Sequence, residues 1–130
     1  MATEPQFAAT PILEVAQIST ANTNRDGTGT IVTLASGTDA GKRISRVTIQ
    51  ATGTTTGGMI RFYFSPDGGT TNRLIGEVAV IAATPSGTVS AFSTLATALA
   101  GLILPGTSAQ LRASTHNAET FNILVESGGL

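Results

Sequence analysis

Hydrophobic and polar residues alternate along much of this chain with the period of a β-strand. In the segment 59–65, one face carries Ile60, Phe62 and Phe64 and the opposite face carries Arg61, Tyr63 and Ser65. A second apolar run follows at 74–81, and the link between the two runs is rich in Pro, Asp, Gly and Thr. Pro presets φ, Gly adopts positive φ, and Asp bonds its own backbone, so such links form tight turns. The pattern predicts a β-hairpin over Met59–Ile81.

The same alternation recurs in four further segments: Thr30–Ala35, Arg43–Thr52, Ala109–Thr115 and Glu119–Ser127. Segments rich in Gly, Pro, Asn and Ser separate them, so that turns recur roughly every 8–12 residues. Short strands at this spacing are typical of all-β sandwiches and barrels. We therefore predict a single domain over residues 1–130, an antiparallel β-sandwich or jelly roll of about eight strands. Residues 1–20 are expected to form an extended N-terminal arm and the first strand.

Residues 90–103 are ambiguous. Their apolar residues have a spacing that also fits one face of a helix: Phe92, Leu95, Ala96, Leu99, Leu102 and Ile103. The flanking Thr and Gly residues instead resemble the neighbouring strands. We favour a strand near Val89–Leu95, a loop, and a short strand Leu102–Leu104, with a short helix as the alternative.

Composition narrows the classes of partner. Seven Lys and Arg oppose eight Asp and Glu, the net charge is −1, and only 12% of the residues are charged. Phosphate binding needs concentrated positive charge, so we expect no nucleic-acid partner. The longest apolar run, Leu95–Leu104, is too short to span a bilayer, so we expect no membrane partner. The chain has no cysteine, which excludes disulfides and thiolate chemistry.

Two segments are similar to known functional motifs. Residues 65–71 resemble the Asp-box found at hairpin turns of sialidase-like propellers, but Asn72 stands where that motif has Trp, and there is one copy. In those families the box is structural, so we interpret four of its residues as a structural turn: Ser65, Asp67, Gly68 and Gly69. Residues 37–43 are similar to a phosphate-binding loop. Its glycines are too close together, however, and Arg43 stands where Ser or Thr would bind magnesium.

No arrangement of residues indicates catalysis. His116 is the only histidine and is predicted to be a turn residue, because no nucleophile motif accompanies it. The eight carboxylates are dispersed, and no pair has the spacing that singles out a glycosidase site. We expect no enzymatic activity, no bound metal and no cofactor.

Three arginines fall on the polar faces of predicted strands: Arg46, Arg61 and Arg112. Cross-strand pairing with Glu77 or Glu126 is the simplest interpretation. The alternative is that they anchor an interface, since Arg is enriched at interface hot spots.

The C-terminal quarter of the chain is the most familiar part. Residues 102–129 contain a Leu-Pro-Gly turn at 104–106, a strand that ends in Arg-Ala-Ser-Thr at 112–115, and a Glu-Thr-Phe strand that closes on Gly-Gly at 128–129. This stretch resembles the C-terminal half of small structural proteins of tailed bacteriophages. The hairpin with its Ser-Pro-Asp-Gly-Gly-Thr-Thr turn is also similar to such proteins, and the two regions together cover about half of the chain.

The resemblance implies a non-enzymatic β-sandwich of the virion. It points most directly to a capsid decoration (cement) protein that binds the major capsid protein or other virion proteins and stabilises the shell. Such proteins are often homo-oligomers, trimers or dimers. The expected location is the capsid surface, after synthesis in the host cytoplasm. Within the N-terminal arm, the apolar Phe7, Ile12 and Leu13 are expected to dock on a partner.

Three alternatives remain open at this stage. A neck, tail or fibre component of the virion would have the same composition. A carbohydrate-binding jelly-roll module would need aromatic platforms for its sugar, yet Tyr63 is the only Tyr and the chain has no Trp. A small hydrolase is the third alternative.

Overall fold

The computed structural model describes residues 10–130, which form nine β-strands in two sheets. The strands, in chain order, are β1 (Thr10–Ile18), β2 (Val32–Ser36), β3 (Lys42–Ala51), β4 (Gly58–Ser65), β5 (Arg73–Val80), β6 (Ser93–Leu95), β7 (Ile103–Leu104), β8 (Gln110–Thr115) and β9 (Phe121–Gly129). No helix in this part of the chain is long and apolar enough to cross a membrane.

The strand order is that of a jelly roll. The first sheet has the order β1-β9-β3-β6, with β7 also paired to β3, and the second has the order β2-β8-β4-β5. The first strand thus pairs with the last, the second with the second-last, β3 with the interrupted strand β6/β7, and β4 with β5, all antiparallel. This is one long hairpin rolled so that successive strand pairs alternate between two sheets. The antiparallel β-sandwich predicted from the sequence is confirmed.

The core lies between the sheets and is built from the apolar positions of the alternating strands. In β3, Val47 and Ile49 are buried and lie opposite Val125 and Ile123 of β9. The second sheet contributes Ile60, Phe62, Leu111 and Ala113 from the facing side. The sequence pattern therefore assigned the inward faces of β3, β4 and β9 correctly.

The first strand, β1, already begins at Thr10, within the segment expected to contain the N-terminal arm. Residues 10–18 pair along their whole length with β9, from Thr10 opposite Gly129 to Ile18 opposite Phe121. Ile12 and Leu13 therefore lie within a strand rather than in a free arm, a correction of the expectation. Phe7 lies outside the residues that the structure describes.

The ambiguous segment 90–103 forms two short strands separated by one 3-10 turn over Thr97–Leu99. The predicted division into strand, loop and strand is confirmed, although β6 is shorter than expected. Backbone bonds to β3 explain the outcome, because Ala96 N donates to Val47 O at 2.9 Å and Gly101 N donates to Ile44 O at 2.7 Å. Pairing with the edge of β3 gives hydrogen-bond partners to backbone N–H and C=O groups that would have none at the ends of a short helix.

The loop that joins β1 to β2 covers the outward face of the second sheet. Backbone carbonyls of Asn22 and Asn24 accept hydrogen bonds from Arg61 Nη1 at 3.2 Å and from Tyr63 Oη at 2.9 Å. Both side chains are consequently buried, although they occupy the polar face of β4. The two sheets thus differ: the loop covers part of the outer face of the second sheet, although alternate residues of β5 stay exposed, whereas the first sheet presents its outer face to solvent.

Candidate interaction surface

An apolar row crosses the outward face of the first sheet. Val15 of β1 lies opposite Leu124 of β9, Leu124 opposite Thr48 of β3, and Thr48 opposite Leu95 of β6. Directly opposed residues of antiparallel strands project from the same face, so these four side chains form one line, with Leu13 next along β1. Leu13 is 64% exposed, Val15 63% and Leu95 45%. We call these five residues the apolar row.

Polar side chains border the apolar row on both sides and are paired with one another. On one side Arg46 binds Glu126 through two hydrogen bonds, from Nη2 to Oε1 at 2.8 Å and from Nε to Oε2 at 3.1 Å. The Glu126 carboxylate raises the pKa of Arg46 above its usual range. On the other side, Gln17 Nε2 donates to Asn122 Oδ1 at 3.0 Å. The border is therefore polar without net charge, the arrangement of a protein–protein interface with an apolar centre and a polar rim.

A cleft opens at the β6 end of the apolar row. A bulge in β3, where the register with β9 shifts between Ile44 and Arg46, turns Ser45 outward. The resulting cleft has a volume of about 200 Å³ and is lined by Ser45, Arg46, Val47, Leu95, Ala96, Thr97 and Ala100. Its walls are largely apolar, and its size suits one inserted aliphatic or aromatic side chain.

Arg46 is the one predicted interface arginine that the structure places beside this surface, and its side chain is 55% exposed. Its pairing with Glu126 is as the sequence suggested. Its contact with a partner stays a prediction.

Arg61 occupies a different environment on the second sheet, where it is 2% exposed. Its Nε donates to Glu77 Oε2 at 3.0 Å, and its Nη2 contacts His116 Nδ1 at 3.2 Å. Arg25 Nε donates to the same Glu77 oxygen at 2.7 Å. The two guanidiniums, Arg25 foremost, hold the pKa of Glu77 below its ordinary value. The expected pairing with Glu77 is present, but a side chain this buried offers almost no surface to a partner, which corrects the interface expectation for Arg61.

Arg112 is half-buried and fastens three segments of the second sheet. Its Nε donates to Thr33 Oγ1 at 3.1 Å, its Nη2 to the Ile31 carbonyl at 2.9 Å, and its Nη1 to Asn72 Oδ1 at 2.9 Å and to the Gly69 carbonyl at 3.3 Å. Burial lowers the pKa of Arg112 from its usual range. Arg112 therefore pairs with neither Glu77 nor Glu126, which corrects the expected cross-strand pairing, and its interface role remains a prediction.

The turn between β4 and β5 is organised by the residues the sequence singled out. Asp67 Oδ1 accepts from Ser65 Oγ at 2.9 Å and from Thr71 N at 2.7 Å, which lowers the pKa of Asp67. Ser65 Oγ in turn accepts from Gly69 N at 2.8 Å. Gly68 and Gly69 have φ of 72° and 99°, the region that favours glycine.

The apolar row itself was not recognised from the sequence. Leu124 could have been noticed, because it is a large apolar residue at an outward position between the inward Ile123 and Val125. The alignment of Leu124 with Val15 and Leu95 could not, since it depends on the register between strands far apart in the chain.

Within residues 10–130, no three His, Asp or Glu side chains lie close enough together to hold a metal ion.

The fold and this surface define a jelly-roll sandwich whose first sheet presents the apolar row, bordered by paired polar side chains, to solvent. No family model matches the chain, and no curated protein matches it. Among solved structures, it is similar to a chain of the cyanophage Pam1 capsid asymmetric unit, at 15% identity and a TM-score of 0.45, covering 100% of this chain and 92% of that one. It is also similar to a chain in the structure of infectious bursal disease virus, Gt strain, at 13% identity and a TM-score of 0.37, covering 98% of this chain and 35% of that one.

Proposed function

We propose that this chain is a non-enzymatic structural protein of a virion, a capsid decoration (cement) protein that binds the capsid shell and stabilises it. The observation that carries the proposal is the apolar row on the open face of the first sheet. Its exposed side chains lose water on contact with a partner, which stabilises a complex by about 25 cal/mol for each Å² of apolar surface buried. The sequence resemblance to phage structural proteins supplies the kind of partner, the major capsid protein.

The architecture suits a part that joins neighbouring subunits. One face of the second sheet packs on the core, and on the other face the loop after β1 holds Arg61, Tyr63 and Arg112 in place through its backbone carbonyls. The opposite face of the sandwich is left for docking. A rigid body binds with little loss of conformational freedom, which favours affinity for a given contact area.

A sugar-binding role finds less support. A sugar ring stacks on an exposed aromatic face, but the single Tyr, Tyr63, is fully buried and its hydroxyl is engaged by the Asn24 carbonyl. Tyr63 therefore offers no platform for a carbohydrate.

Sedimentation with purified phage shells tests the proposal. The protein should pellet with shells and not with isolated tails, and the double variant Leu13→Thr with Val15→Thr should bind at least about tenfold more weakly, since 1.4 kcal/mol corresponds to one decade. Threonine is β-branched and is itself favoured in strands, so both substitutions are compatible with β1.

A matched control replaces two exposed apolar side chains that lie outside the apolar row. Ile81 and Val89 are 68% and 52% exposed and lie outside the first sheet. The double variant Ile81→Thr with Val89→Thr should bind shells as the parent does. Binding to tails alone would assign the chain to the neck or tail instead, and full binding by the Leu13/Val15 variant would remove the apolar row from the interface.

A further inference from the structure

A second, polar cavity lies on the other side of the molecule, beside the buried Arg61. It has a volume of about 200 Å³ and is lined by Arg25, Gly57, Gly58, Met59, Arg61 and His116. Two guanidiniums therefore meet at one opening, together with the single imidazole of the chain. None of these residues belongs to the apolar row.

The charges around this cavity do not balance. Arg25 and Arg61 share a single carboxylate, and both donate to the same oxygen, Glu77 Oε2, at 2.7 Å and 3.0 Å. Within this group of three side chains, two guanidiniums therefore face one carboxylate, and one of the two guanidiniums is buried. Glu119 forms no ion pair with either arginine and does not line the cavity: its Oε2 accepts from the backbone and hydroxyl of Thr56, both at 2.9 Å, and its Oε1 is buried without a hydrogen-bond partner.

Several N–H donors around the cavity have no acceptor among the described residues. A guanidinium has five N–H donors. Arg61 uses three of them, on Glu77, on the Asn22 carbonyl and on His116. Because a guanidinium only donates, His116 Nδ1 must accept, which leaves the ring proton on Nε2. This Nε2–H makes no hydrogen bond within residues 10–130.

We propose that this cavity binds a carboxylate. One surplus positive charge matches a carboxylate, which carries one negative charge, better than a phosphate dianion. Arg25 uses only its Nε on Glu77, and its other N–H groups together with His116 Nε2–H can bond the two oxygens, while the buried Arg61 contributes its charge. Carboxylate geometry favours such charge-assisted bonds to a planar guanidinium. The Met59 side chain offers an apolar wall for a short aliphatic stem. The site does not depend on the proposed function in the virion, because it lies on the second sheet and uses other residues.

The imidazole provides a direct readout, since the chain has one histidine and hence one set of ring signals. The protein, labelled with ¹⁵N, is titrated with acetate against sodium chloride at equal ionic strength. Acetate should shift the His116 ring signals with saturation, and chloride should not. A shift that is equal for chloride, or that never saturates, would overturn the proposal. Tighter binding of inorganic phosphate than of acetate would overturn the assignment to carboxylate.

Two arginine variants of equal charge provide the control. Arg25 and Arg46 have side chains that are 57% and 55% exposed, and each is paired with one glutamate. Arg25→Gln should weaken acetate binding about tenfold, because hydrogen bonds to charged groups contribute that much. Arg46→Gln should leave binding unchanged, and an equal loss in both variants would reduce the effect to general charge.

A second ligand tests whether the carboxylate belongs to a protein side chain or to a free small molecule. A blocked peptide, acetyl-Gly-Glu-Gly-amide, carries its only carboxylate on a side chain. If it shifts the ring signals with saturation as acetate does, the cavity accepts an acidic side chain of a protein. If acetate alone binds, the cavity takes a free small carboxylate.

Discussion

A guanidinium withdrawn from water needs partners for its charge and for its N–H donors, and Arg61 obtains them from three parts of the chain. Glu77 comes from the neighbouring strand, the Asn22 carbonyl from the loop after β1, and His116 from the segment after β8. The carboxylate is the only charged partner among them. Removing its charge therefore leaves a buried cation with neutral acceptors alone, a costly state.

Glu77→Gln should accordingly destabilise the protein by about 2 kcal/mol. Glu126→Gln is the matched control, because its partner Arg46 is more than half exposed and such pairs contribute about 0–1 kcal/mol. Denaturant unfolding of both variants measures the difference. If both variants lose the same free energy of unfolding, the buried position of Arg61 adds nothing to the strength of its ion pair with Glu77.

The hydrogen bonds that Glu77 accepts from Arg25 and, to a smaller extent, from Arg61 make stability depend on pH. The pKa of Glu77 lies below its ordinary value of 4.5 in the folded protein. A group whose pKa falls on folding stabilises the folded state above its unfolded pKa and loses that contribution as the pH falls through the folded value. The stability difference between the parent and Glu77→Gln should therefore be constant near neutrality and shrink below about pH 4.5. A difference that persists undiminished at about pH 3 would contradict the assignment.

The sequence could predict the partners of these arginines but not their burial. Glu77 and Glu126 were suggested because they lie on strand faces that adjoin Arg61 and Arg46. The burial of Arg61 arises from the loop after β1, which contacts the second sheet largely through backbone carbonyls: that of Asn22 accepts from Arg61, that of Asn24 from Tyr63 and that of Ile31 from Arg112. Every residue has a carbonyl, so no side-chain pattern marks which ones will be used.

Among the elements, the turn at the tip of the β4–β5 hairpin depends on two adjacent glycines. Gly68 and Gly69 both have positive φ, but their surroundings differ. A Cβ on Gly68 would meet nothing within 4 Å, whereas one on Gly69 would lie 3.0 Å from Arg112 Nη1. Gly69 therefore has both a positive φ and a close neighbour, the Arg112 guanidinium. The same guanidinium donates a hydrogen bond to the Gly69 carbonyl.

Gly69→Ala should cost more than Gly68→Ala for this reason. Backbone strain alone destabilises each by about 1–2 kcal/mol. The Gly69 variant should lose about 1 kcal/mol more, because it displaces a hydrogen-bonded arginine. Thermal or denaturant unfolding of the two variants gives the comparison. If both lose the same amount, the contact with Arg112 has no energetic weight.

Local pattern and tertiary pairing compete in the segment 90–103. Leu95, Leu99 and Leu102 fit a helical stripe, yet β6 and β7 form along β3 instead. The deciding acceptors and donors belong to Val47 and Ile44, about fifty residues earlier in the chain. The residues of β3 lie far from this segment in the sequence, so the local pattern carries no sign of the edge that β6 and β7 pair with. The strand prediction therefore depended on the resemblance of the flanking residues to other strands.

At the scale of the whole molecule, the pairing of first strand with last makes nearly every contact non-local. Among the nine strands of residues 10–130, only β4 and β5 are adjacent both in sequence and in a sheet. Folds dominated by such distant pairings fold slowly, in milliseconds to seconds, because loop closure precedes the stabilising contacts. The hairpin is thus the natural place for pairing to start, and β1 is the natural last addition.

The same substitution at two sites can show whether β4 or β1 pairs first during folding. Ile60 of β4 and Ile18 of β1 are both buried, and Ile→Val at either site should cost about 1 kcal/mol. In stopped-flow measurements, Ile60→Val should mainly slow folding and Ile18→Val should mainly speed unfolding. The reverse assignment would place the β1–β9 pair in the folding nucleus.

The pairing of Thr10 with Gly129 has a mechanical consequence. Both ends of the described chain leave the sandwich at one corner, on antiparallel neighbours. Tension applied between them would act across the strands, so the hydrogen bonds of β1 and β9 would break one after another at low force. A load applied through the face of the first sheet would instead be shared among its five strands at once. A body built in this way resists force through its faces and yields through its ends, so an attachment meant to bear load belongs on the sheet.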